Sequence, residues 1–113
     1  MTEEVYLVFL PKIAELIERG VSPEAVYSLA QTPFAVPTEF YEKQVTGETI
    51  NFLQNVEWGT WLYRFSKGDI EGLVSLLSPN AFEGKYSGSI ATIKSDKGLA
   101  WLKRAQKLVR DEK

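Results

Sequence analysis

Between Thr49 and Ser66 the chain reads as a helix that is apolar on nearly every side, and this segment constrains the fold more than any other. At about 100° per residue, Ile50, Trp58, Trp61, Leu62 and Phe65 cover one arc, while Phe52, Leu53, Val56 and Tyr63 cover most of the rest. A helix wetted along one side carries polar residues there. Rings on several sides of one rod predict either burial by more than one neighbour or contact with another molecule.

The remaining periodicities are also mostly helical. Thr2 is placed to cap a segment in which Val5, Phe9, Ile13 and Leu16 recur at helical spacing, and Gly20 supplies the stop. Pro11 opposes this, because it removes the hydrogen bond to the Leu7 carbonyl at a cost of about 3 kcal/mol. Either the helix kinks or a new one starts at Pro11, and the run Val5 to Leu10 also suits a buried strand. Helix is the preferred reading. Ser22 and Pro23 open a second helix with Val26, Leu29 and Ala30 as its stripe. Pro33 and Pro37 then mark a connector, and Thr38 caps a short turn through Glu39 to Gln44.

Beyond the long helix, Asp69 caps a segment with Ile70, Leu73, Val74 and Leu77 on one face, ended by Pro79. Gly84, Ser87, Gly88 and Ser89 make residues 78–95 rich in loop formers, so a hairpin with Tyr86, Ile90 and Ile93 inward is expected there. The last helix starts near Ser95 or Asp96. It sets Leu99, Trp101, Leu102, Ala105, Leu108 and Val109 against Lys97, Lys103, Arg104, Lys107 and Arg110. The predicted architecture is an all-α, single-domain bundle of about five helices over residues 1–113, with a small β-hairpin or ordered loop near residues 80–94.

Composition narrows the chemistry. Cysteine and histidine are both absent, which excludes a disulfide framework, a thiolate nucleophile, zinc–thiolate sites and imidazole acid–base chemistry. Carboxylates pair poorly for catalysis: Glu39 and Glu42 lie one turn apart on a helix surface, and Asp69 is spent as a cap. Glu57, between Leu53 and Trp61, is the one acid inside an apolar stretch, where an ion pair with Arg64 or across an interface competes with a raised pKa. Residues Gly84 to Ser89 read G-K-Y-S-G-S, a phosphate-loop vocabulary without Walker spacing. No enzyme activity, cofactor or metal is expected. The longest apolar run, Val5 to Leu10, is far short of the roughly 20 residues that span a bilayer and follows Glu3 and Glu4. The expectation is a cytoplasmic protein that does not enter the membrane.

Three features bear on function. Leu16 to Leu29 reads L-x-x-x-G-V-S-x-x-x-V-x-x-L, which resembles the core of a helix-turn-helix, with Leu16 and Val26 as packing positions, Gly20 and Val21 in the turn and Ser22 as cap. That resemblance implies a DNA-binding regulator whose recognition helix, Pro23 to Gln31, offers Glu24, Tyr27, Ser28 and Gln31 but no Arg or Lys. Phosphate neutralisation dominates nucleic-acid affinity, so DNA binding is the second reading. Residues 94–113 carry seven basic and three acidic side chains, +4 within a chain of net −2, and Lys97, Lys103, Arg104, Lys107 and Arg110 form a candidate face for an anionic partner or a solvated outer surface. Eight of the fourteen aromatics lie between Phe34 and Phe65, so an interface through Trp58, Trp61, Leu62 and Phe65 is expected. The first reading is therefore a small regulatory domain that binds protein, with homodimerisation through that surface. A small-ligand binder using the aromatic cluster is the third.

Overall fold

The computed structural model describes residues 3–32, 34–55, 58–67 and 87–111. They form seven helices: α1 (Glu3–Arg19), α2 (Pro23–Gln31), α3 (Thr38–Glu42), α4 (Gly47–Asn55), α5 (Trp58–Lys67), α6 (Ser87–Lys94) and α7 (Asp96–Asp111). The fold is all-α, with no strand among the described residues. The segment expected as one helix over residues 49–66 is described as α4 and α5, with residues 56 and 57 between them outside the description. The helix expected over Ile70 to Leu77 lies outside it as well.

Packing overrides local preference at Pro11. Helix α1 runs through this proline without a second start, and the strand alternative for Val5 to Leu10 gives way to helix. Phe9, Leu10, Ile13, Ala14, Leu16 and Ile17 are all buried. Burying one large apolar side chain is worth about 1.5–3 kcal/mol, so several together outweigh the roughly 3 kcal/mol that an internal proline costs. Phe9 also meets Phe52 of α4 edge to face, with centroids 5.3 Å apart and planes at 76°, a favoured aromatic geometry.

Helix α1 ends in a complete Schellman motif. Gly20 sits at φ +80°, its N–H donates to the Ile17 carbonyl at 3.1 Å, and the Val21 N–H donates to the Leu16 carbonyl at 3.0 Å. Val21 and Leu16 supply the buried apolar contact that accompanies the motif. One residue later Ser22 caps α2 by accepting the Ala25 N–H at 3.2 Å. The carboxylate of Glu39, on α3, accepts both the Ser22 N–H (2.6 Å) and the Ser22 hydroxyl (3.0 Å). The surface position expected for Glu39 is thus corrected: it is half-buried and holds α3 to the start of α2.

The same motif recurs at the end of α3 without a glycine. Gln44 takes φ 55°, the Gln44 N–H donates to Tyr41 O at 3.1 Å, and the Val45 N–H donates to Phe40 O at 2.9 Å. Arg19 donates to the Gln44 carbonyl at 2.8 Å, fixing this turn to the end of α1. Thr46 then caps α4, accepting the Thr49 N–H at 3.2 Å, and the fully buried Thr49 hydroxyl donates to the Glu15 carboxylate.

Residues 87–94 are helix, which corrects the hairpin expected there; residues 78–86 lie outside the described residues. The β-branched Ile90, Thr92 and Ile93 favour a strand locally, but Ile90 and Ile93 stand three apart, on one helical face, and both are buried as α6 packs on α1 and α7. Only Ser95 separates α6 from α7. Its hydroxyl donates to Thr92 O at 2.6 Å and accepts the Gly98 N–H at 3.0 Å. Gly98 presses on the preceding helix, where an added Cβ would lie 2.3 Å from the Thr92 oxygen and 2.5 Å from the Ile93 oxygen.

Two stability outcomes follow from these turns. Gly98→Ala drives a methyl group into backbone that cannot move aside, and urea unfolding is expected to show a loss of about 3 kcal/mol or more. Gln44→Gly relieves a left-handed conformation that costs an L-residue about 1–2 kcal/mol. After the entropic cost of glycine is subtracted, the unfolding midpoint should rise by the equivalent of roughly 0.5 kcal/mol.

Candidate functional site

Helix α5 does not present the expected interface as a unit. Leu62 and Phe65 are 1% and 4% exposed, buried where α5 packs on α7 and α2, so two of the four residues assigned to an interface are core of this chain. The side chains of Trp58 and Trp61 lie outside the description, as does Glu57.

The basic face of α7 divides by role. Arg104 pairs with Glu24 of α2, its Nε 2.8 Å from the Glu24 Oε2. On the opposite flank Arg110 donates to Ser66 O at 3.2 Å and Gln106 to Phe65 O at 3.5 Å, so both satisfy carbonyls in the last turn of α5. Two of the five candidate cations thus fasten α7 to its neighbours. Lys97, Lys103 and Lys107 remain on the exposed side, with no ion pair among the described residues.

Helices α2 and α7 lie side by side in parallel. The buried Trp101 indole N–H donates to Val21 O at 2.8 Å, one turn on Arg104 meets Glu24, and both contacts join residues 80 apart. Farther along, Ser28 and Gln31 face Leu108 and Asp111 across an open groove of about 440 Å³, which Glu24 and Tyr27 also line. Tyr27 and Leu108 are half-buried and give the groove an apolar floor, while the exposed Glu24, Ser28, Gln31 and Asp111 give it a polar rim.

Phe34 follows α2 by three residues and is wholly exposed, at 102% of its reference area. Tyr41 is 65% and Tyr63 36% exposed, whereas Phe40 and Phe65 are core. Among the described aromatics, the surplus ring therefore projects from the connector after α2. The sequence carries a signal for it: Thr32 to Pro37 holds a phenylalanine in a proline-bounded stretch with no periodic apolar partners. The groove has no comparable local signal, because its two walls come from opposite ends of the chain.

No group of His, Cys, Asp or Glu among the described residues is arranged to hold a metal ion. No helix among them is long and apolar enough to cross a membrane. Comparison with protein-family models, with curated proteins and with solved structures returns no match.

Hydrogen bonds from the Arg104 guanidinium hold the Glu24 carboxyl below the ordinary carboxylate range. A depressed native pKa means stabilisation that is present above the ordinary carboxylate pKa and is lost as pH falls through the native value. Both partners are about half exposed, so solvent screening limits the pair to less than about 1 kcal/mol. Glu24→Gln is expected to lower stability by that small amount at pH 7. Its unfolding curve should converge on that of the wild type only as pH falls below the ordinary carboxylate range.

Proposed function

We propose that this protein is a small regulatory interaction domain that docks on a protein partner through the Phe34 connector, without catalysis of its own. The complete exposure of Phe34 carries this reading. Burying a phenylalanine is worth about 1.5–3 kcal/mol, a gain that the isolated chain forgoes and a complex would recover. Aromatic side chains are also the usual anchors of protein contacts. Phe34 starts three residues beyond Gln31, at most about 10 Å of chain away, so anchor and groove belong to one end of the molecule.

The surface moves from the long helix to this connector because Leu62 and Phe65 are spent on the core. DNA binding draws less support. The outward residues of α2 are Glu24, Ser28 and Gln31, Glu24 already holds the nearest arginine, and Asp111 lies across the groove. Two carboxylates at this edge oppose a phosphate backbone.

Light scattering and affinity capture test the proposal with Phe34→Ser, a substitution outside the core that should leave the unfolding free energy within about 0.5 kcal/mol of wild type. If the partner is a second copy, wild type shows a concentration-dependent mass above 12.8 kDa that the variant lacks. If it is a different protein, the wild type stays monomeric and captures a species from its native host that the variant fails to retain. Equal association by both forms in both measurements overturns the reading.

A further inference from the structure

We infer that the groove between α2 and α7 receives Phe34 of a second copy of this chain, so that two molecules exchange rings about a two-fold axis. The inference rests on the interaction reading above and names its partner and its seat. Presentation of the ring is the first ground. The Thr32 N–H and hydroxyl both donate to the Ser28 carbonyl, at 2.9 and 2.7 Å, and the Ala35 N–H donates to the Thr32 carbonyl at 2.9 Å. That last bond closes a four-residue turn with Phe34 at its third position, and Val36, just beyond, packs against the core. The turn is fastened at both ends, yet Phe34 is fully exposed and leaves its own chain's groove unfilled. An anchor held in this way loses little conformational freedom on binding.

The character of the groove is the second ground. Its floor is apolar, made by Tyr27 and Leu108, and its volume is about 440 Å³. The charges on its rim are compensated: Glu24 is taken by Arg104, and Lys107 stands one turn before Asp111 on α7. The Ser28 carbonyl near the end of α2 is already bonded to Thr32. A balanced rim around an apolar floor favours a neutral apolar group over an ion, and the connector from Thr32 to Thr38 is uncharged along its whole length.

Placement selects a second copy. Phe34 leaves the same helix end that, with Gln31, walls the groove. Ring and seat side by side on one surface meet the requirement of an isologous pair, in which one two-fold rotation brings each ring to the other copy's groove and closes both contacts at once. Each ring buries roughly 150–250 Å² and covers about as much of the groove. Two insertions therefore remove on the order of 600–1,000 Å² from water, below the roughly 1,200 Å² of a stable interface. The pair is a reversible dimer, with a dissociation constant on the order of 0.1–1 mM.

Amide chemical shifts in the full chain test the inference with two variants at exposed positions: Phe34→Ser keeps the groove and lacks the ring, and Ser28→Arg keeps the ring and obstructs the groove. On concentrating the wild type to about 2 mM, shifts are expected in residues 24–31, 34–36 and 104–111, and in neither variant alone. Adding unlabelled Ser28→Arg to isotope-labelled Phe34→Ser restores one of the two insertions, so the shifts at 24–31 and 104–111 should return with affinity about tenfold below that of the wild type. The unlabelled double variant should produce none. Wild-type association that Ser28→Arg retains in full, or a mixture of the two variants without groove shifts, overturns the inference and leaves docking through Phe34 standing. A wild type that stays monomeric at about 2 mM but captures another protein through Phe34 has the same consequence. Association of Phe34→Ser equal to that of the wild type removes both readings.

Discussion

The hydrogen bond from the Trp101 indole to the Val21 carbonyl locks the turn on which the other helices converge. Val21 is 1% exposed, and a buried carbonyl without a donor costs about 1–3 kcal/mol. Its N–H already closes the α1 Schellman motif, so Trp101 completes the residue's polar accounting. The adjacent Ser22 caps α2 and receives Glu39 from α3. Three consecutive residues, Gly20 to Ser22, thus end one helix, start the next and hold two others. The geometry is demanding: Gly20 must adopt positive φ, Val21 must be apolar, and Ser22 must present a hydroxyl.

From that corner the molecule is assembled by competition between local preference and burial. Pro11 and the β-branched residues of α6 each argue against helix, and each is overruled by side chains with somewhere apolar to go. Gln44 is the reverse case. The backbone accepts a left-handed residue because Phe40 and Val45 are buried on either side of it and Arg19 holds its carbonyl. In each case a cost of about 1–3 kcal/mol is carried by contacts worth at least as much.

Legibility in the sequence follows the same division. Leu16, Val21, Val26 and Leu29 announce their burial by spacing, and Gly20, Ser22 and Pro23 announce the turn, because these signals are local. The sidedness of α7 is equally plain: Trp101, Leu102, Ala105 and Val109 are buried, while the lysines are exposed. Helix α6 was not readable, since Ile90 and Ile93 suit both periods and only their neighbours decide. The candidate site was barely readable. Phe34 stands out by its proline-bounded stretch without periodic apolar partners, whereas nothing local in Gln31 or Asp111 says that they meet. The helical wheel of residues 49–66 cannot say which apolar side chains find neighbours within the chain, and Leu62 and Phe65 find them where α5 packs on α7 and α2.

The pairing of segments 80 residues apart also bears on the order of assembly. Closing a loop of that length costs roughly 2 kcal/mol more entropy than closing one of ten residues, and contacts of such separation slow folding. The backbone hydrogen bonds that close the turns at Gly20 and Gln44 join residues only three to five apart. The seam between α2 and α7 must wait until the C-terminal helix has been synthesised. Until then the Val21 carbonyl and the strip of α2 that packs on α7 lack their partners, so a nascent chain halted before residue 96 exposes the surface that the finished protein devotes to these 80-residue contacts.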